Sequence, residues 1–92
     1  MQIRNSQFEI LRATLRQMDM KWISIDSDIC NGQPVIKGTR ITVQTVLEFL
    51  GAGDSIEDIL EEYPSLTRQH VLECVRFSSE LLKHHFTLQE VA

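Results

Sequence analysis

Two places in this 92-residue chain carry residue types that can do chemistry. The first is His70 with Cys74, an imidazole and a thiol four residues apart and so on one side of a helix. That is half of a zinc site, which takes four ligands, and no third ligand stands at a suitable spacing. No metal centre is expected. The second is Gly38-Thr39-Arg40, inside the stretch "GQPVIKGTRITV" at 32–43. A glycine bend followed by a guanidinium can hold one phosphate oxygen. The stretch lacks the lysine and glycine spacing of a nucleotide loop. Two readings of Arg40 stay open: it meets a DNA phosphate, or it pairs with an acid beside a structural bend. No carboxylate pair sits in an apolar setting that would split its acidities, and no nucleophile has a histidine at hand. Tyr63 falls on an apolar face. The expectation is a protein that is not an enzyme, with no cofactor and no small-molecule substrate.

The elements that must position these residues follow from periodicity. Phe8, Leu11, Leu15 and Met18 make an amphipathic stripe, and Ser6 with Glu9 has capping-box spacing. Residues 22–26 are rich in β-formers, and Val35-Ile36 is a second short strand candidate. Between them Asn31-Gly32 invites positive φ and Pro34 excludes helix. The strands pair as a hairpin or across a dimer. Thr42 caps a helix at 43–51, with Val43, Val46, Leu47 and Leu50 inward. Gly51 and Gly53 end it. Ser55 and Asp58 open a second helix at 56–63 with Ile56, Ile59, Leu60 and Tyr63 inward, which Pro64 stops. Thr67 caps a third at 68–85. The fold class expected is mainly α: an N-terminal helical extension (1–21), a β-segment (22–41), then a tri-helical, helix-turn-helix-like bundle (42–86) within a domain spanning 22–92.

On the last helix the inward face is expected to be Val71, Leu72, Val75 and Leu82. A second row, His70, Cys74, Phe77 and Leu81, has the 4, 3, 4 spacing of a helix–helix seam. Either the N-terminal helix covers this row, or it is a dimer or partner interface. A homodimer is expected. His84 and His85 suit a helix C-terminus as cations. The polar face is Gln69, Glu73, Arg76, Glu80 and Lys83.

Charge narrows the partners. The net charge is −4, split as six cations against four acids in residues 1–46 and three against nine in 47–92. Such a chain is not drawn onto nucleic acid without a local basic surface. There is no run of about 18 apolar residues, so no membrane span is expected. No export signal opens the chain, and Cys30 and Cys74 read as free thiols, which points to the cytoplasm.

The segment from Ile29 to Phe77 resembles the domain-of-unknown-function 433 family. Gly32, Pro34, Ile36, Gly38, Thr39, Arg40 and Ile41 match its G-x-P-x-I-x-G-T-R-I pattern. Tyr63, Pro64, Leu66 and Thr67 match its Y-P-x-L-T turn. The first twenty or so residues lie outside the pattern, and Ser27 stands where a proline often follows the first aspartate. The resemblance implies a homeodomain-like helical fold. It also implies an antitoxin-type role, similar to VapB-like antitoxins, with a PIN-like nuclease as toxin and operator DNA as a second ligand. DNA would be read by the last helix through Thr67, Arg68 and Gln69, with Glu73 and Arg76 beside them, and Arg40 on the backbone. The alternative is a protein-interaction module of the same fold that does not bind DNA.

Overall fold

The structure, a computed structural model, describes residues 5–18 and 20–89, with side chains over 9–18 and 20–83. Ser6, Phe8, His84 and His85 lie outside the described side chains. The order is α1 (Asn5–Met18), β1 (Ile23–Ser24), β2 (Val35–Ile36), α2 (Val43–Gly51), α3 (Ile56–Glu62) and α4 (Arg68–Gln89). The chain is mainly α with one short antiparallel ribbon, in which Ile23 faces Ile36 and Ser24 faces Val35. The first strand is shorter than the β-formers at 22–26 suggest. A two-residue ribbon has almost no stability alone. Here Ile23, Val35 and Ile36 are buried, so the ribbon is held by what the helices lay over it.

The stretch at 32–43 is a hydrogen-bonded joint. Three successive residues turn left-handed, Cys30 (φ 50), Asn31 (φ 58) and Gly32 (φ 80). Asn31 and Gly32 are suited to that region, whereas a cysteine there is unusual. Gln33 N–H then donates to Cys30 O at 3.1 Å. After β2 the chain folds back on itself. Ile36 N–H donates to Ile41 O at 3.0 Å and Thr39 N–H to Ile36 O at 2.9 Å. The Thr39 hydroxyl closes the loop by donating to Ile36 O at 2.7 Å and accepting from Ile41 N–H at 3.0 Å. Val43 N–H, an otherwise orphaned helix donor, reaches Pro34 O at 2.9 Å.

Each of the last three helices opens on a side-chain cap. Thr42 Oγ1 accepts from Thr45 N–H at 3.1 Å. Ser55 and Asp58 exchange bonds of 2.9 and 3.1 Å, which hold the Asp58 carboxyl below its ordinary range, Ser55 N–H first and its hydroxyl second. Thr67 and His70 do the same: Thr67 N–H donates to His70 Nδ1 at 3.0 Å, and His70 N–H to Thr67 Oγ1 at 3.3 Å. An imidazole here does the work of the usual Glu or Gln.

The core gathers Met20, Ile23, Ile36, Val43, Val46, Ile59, Leu66, Val71, Cys74 and Phe77. Leu11, Leu15 and Met18 of α1 and Leu81 of α4 pack against it. This corrects the reading of α4. Of the two readings of the second row, cover by the N-terminal helix or an interface with another chain, the burial fits the first: Cys74 and Phe77 are core residues, Leu81 is partly covered and His70 is half-buried. Three residues expected inward, Leu72, Val75 and Leu82, are exposed instead, and of that set only Val71 is buried. The helix is rotated so that this row meets α2 and α3 in the core, with α1 packed over it.

Two substitutions check this frame. Phe77→Ala removes a fully buried ring and is expected to cost about 3–5 kcal/mol, against less than about 1 kcal/mol for Leu82→Ala. Urea unfolding of the two variants, at a chain concentration low enough that no dimer forms, measures both, and comparable losses there contradict the rotated helix. Gly38 sits at φ 82 with open space around its Cα, so a methyl group there meets no neighbour. Gly38→Ala is therefore expected to lose roughly 1–2 kcal/mol through backbone strain alone. A neutral effect in thermal melts would show that the bend relaxes.

Candidate functional site

Trp22, the last residue before β1, is where the ribbon meets α4. Its N–H donates to Glu73 Oε2 at 2.7 Å, across 51 residues of sequence. Glu73 is 7 % exposed. A buried carboxylate is costly unless it is bonded, and a backbone N–H at this distance is a strong partner. The indole meets His70 edge-on, with ring centroids 5.4 Å apart and an interplanar angle of 87°. Lys21 Nζ lies 5.6 Å from the indole centroid, within cation–π range. His70 is thus committed twice, to the cap of α4 and to the Trp22 ring.

These contacts line an open groove of 630 Å³ between the end of α1, the start of β1 and α4. Its walls are Met18, Lys21, Trp22, Gln69, Leu72, Glu73 and Arg76. Two of the residues expected to read DNA, Gln69 and Arg76, therefore come together here, and Lys21 and Trp22 join them. The others do not. Arg68 Nη1 pairs with Glu57 Oε2 of α3 at 3.3 Å. The Thr67 hydroxyl is used in the cap. Glu73 is turned inward and offers no base contact. Arg40 is exposed on the 36–41 loop, and its side chain forms no ion pair among the described residues. The N–H groups of Thr39 and Ile41 that a phosphate would need are spent within the loop. Its structural role is clear through its carbonyl, which the Cys30 thiol approaches at 3.5 Å.

Tyr63, expected on an apolar face, meets Phe49 edge-on at 5.9 Å, and so fastens the α3–α4 turn to α2. Leu66 N–H donates to Tyr63 O at 3.0 Å within that turn, with Pro64 exposed. Lys21, Trp22, Met18 and the inward Glu73 were not legible as a site. Nothing in spacing joins residue 22 to residue 73.

A family model described as "Protein of unknown function (DUF433)" matches residues 23–78, from β1 to the middle of α4. The uncharacterized protein y4eO of Sinorhizobium fredii (strain NBRC 101917 / NGR234) is 39% identical over 49 residues, which are 53% of this chain and 22% of that protein. The chain thus spans less than a quarter of that relative's length. The crystal structure of a DUF433 member protein from Anabaena variabilis ATCC 29413 aligns with a TM-score of 0.63 at 22% identity, covering 85% of this chain and 76% of that one. The shared fold therefore reaches beyond the family-matched segment.

The two thiols report on this packing from opposite sides. Burial, with Glu73 beside it as the smaller cause, pushes the Cys74 thiol up to about 12. Cys30 is partly exposed. Thiolate is the reactive form. At pH 8 the native protein is expected to give one fast equivalent with a thiol reagent and a second only on unfolding. Two fast equivalents would mean that α1 does not cover Cys74.

Proposed function

The chain belongs to the DUF433 family, and from that premise and its own surfaces we propose that it is a protein-docking module of the antitoxin type, with a PIN-like nuclease as partner. The observation that carries the docking reading is the surface of α3. Four carboxylates, Glu57, Asp58, Glu61 and Glu62, are exposed on a seven-residue helix, and Glu57 takes up Arg68 at the start of α4. In a helix-turn-helix the start of the last helix enters the DNA groove. Phosphates approaching it here meet acids first, and like-charge contact disfavours them. The same acids suit a basic protein surface, where charge complementarity steers encounter and fixes register. The nuclease as partner rests on the antitoxin resemblance.

A second reading, operator binding, draws on a different observation. Gln69, Arg76 and Lys21 share one groove beside the exposed side of α4. Gln and Arg are suitable base readers, and Trp22 is available for stacking. Three such groups against an acidic half supply few phosphate contacts. Operator binding on this reading would come with a basic partner in the complex.

Purified protein titrated with PIN-like nucleases of its own genome tests the proposal. One is expected to bind, and Glu61→Lys with Glu62→Lys is expected to weaken it at least tenfold, with the loss shrinking as salt rises. The promoter fragment alone should show no shift at about 0.15 M salt. The proposal falls if no such nuclease binds, or if the DNA shifts with a Kd in the specific range of about 10⁻⁸ M or tighter.

A further inference from the structure

The exposed face of α4 carries a pattern that the monomer does not use. Leu72, Val75 and Leu82 are 44 %, 42 % and 70 % exposed. With Ser79 they stand at spacings 3, 4 and 3, the a, d, a, d positions of a helix–helix seam. Large apolar side chains exposed singly need no explanation, but three on one row of one helix make a patch. The small Ser79 in the middle lets a second helix come close.

The flanks of this row differ in charge. Gln69, Arg76 and Lys83 occupy the e positions on one side, with Glu80 between the last two; Gln69 and Arg76 line the groove with Lys21. The other side borders α3. Arg68, one turn before Leu72, reaches across to Glu57 of α3, and Glu61 lies one turn further on the same helix. We infer that a second copy of this chain docks on this face, with the two α4 helices parallel and a two-fold axis running between them. In a parallel pair the e side of each helix meets the opposite side of its mate. Arg76 of each copy then lies toward the acids of α3 in the other, twice over by symmetry. An antiparallel pair sets like sides together, Arg76 toward Arg76 and α3 toward α3, which charge disfavours. At the head of the seam Arg68 meets Arg68, but each is already paired with its own Glu57. This seam is distinct from the buried His70, Cys74, Phe77 and Leu81 row, and it does not depend on the partner reading above.

Sedimentation of the full chain over a concentration series reads the assembly. A mass of twice the 10.6 kDa chain is expected. Leu72→Glu and Leu82→Glu are each expected to give a folded monomer with helicity kept, because both side chains are exposed in the single chain; the melting temperature loses only its dependence on chain concentration. Orientation is read by oxidising Leu82→Cys in a Cys30→Ser background. Parallel helices place the two new thiols together and give a disulfide-linked dimer. An antiparallel pair centred on residue 77 separates them by about 15 Å along the axis, and no link forms. A monomeric parent chain overturns the inference. So does a dimer untouched by both glutamates, or loss of nuclease binding rather than self-association. Absence of the Leu82→Cys link in a dimer overturns the parallel arrangement.

Discussion

The rotation of α4 about its own axis is the constraint on which the rest of the molecule depends. Val71, Cys74 and Phe77 face inward with no exposure to speak of, and α1, α2 and α3 all pack on this helix. Fixing that face fixes everything else on the helix. Glu73 lies next to Cys74 and is carried to the edge of the core, where it captures the Trp22 N–H. That bond sets where the ribbon begins. Lys37 N–H in turn reaches Trp22 O at 2.7 Å, so one residue links both strands to the long helix. A chain of this size buries a modest core. It gains rigidity by letting a few polar groups cross-link elements that short strands could not hold.

The motif at 32–43 belongs to the same economy. A phosphate loop leaves its N–H groups aimed outward. Here they close on Ile36, Thr39 and Pro34. Thr39 and Gly38 are therefore architectural, one as a clasp and the other as a bend. Arg40 contributes its carbonyl to the same joint and leaves its guanidinium at the surface. That separation of backbone duty from side-chain freedom explains how one arginine can belong to a structural motif and still be free to meet a partner.

Much of the frame was legible because its signals are local. Thr42, Ser55 with Asp58, and Thr67 each announce a helix start through a bond that spans three residues. Helix α2 begins and ends where its cap and glycines place it. The phase of α4 was not legible for a physical reason. Leu72, Val75 and Leu82 are as apolar as the residues that became buried, so the helix offers two faces of similar hydrophobicity. Only the way α1, α2 and α3 pack on the helix decides between them, and that is a tertiary fact. The pairing of Trp22 with Glu73 is likewise invisible to any periodicity. The groove was half legible: Gln69 and Arg76 by their place on a polar face, Lys21 and Trp22 not at all.

The two-faced helix ties the fold to what the molecule can do. A helix with one apolar face needs one neighbour; on the docking reading the second face of α4 takes a partner that its own chain does not supply. Its exposed row lies between a cationic flank and an acidic helix, so whatever covers the row is selected by both signs at once. A duplex offers phosphates on both sides of its groove and matches only the cationic flank. A protein surface, which carries both signs and apolar area together, matches all three features. On the docking reading the acids of α3 bear on both ends of the question: like charge disfavours phosphates at the start of α4, and the same acids give the apolar row its polarity. Specificity of this kind comes as much from what is repelled as from what is held.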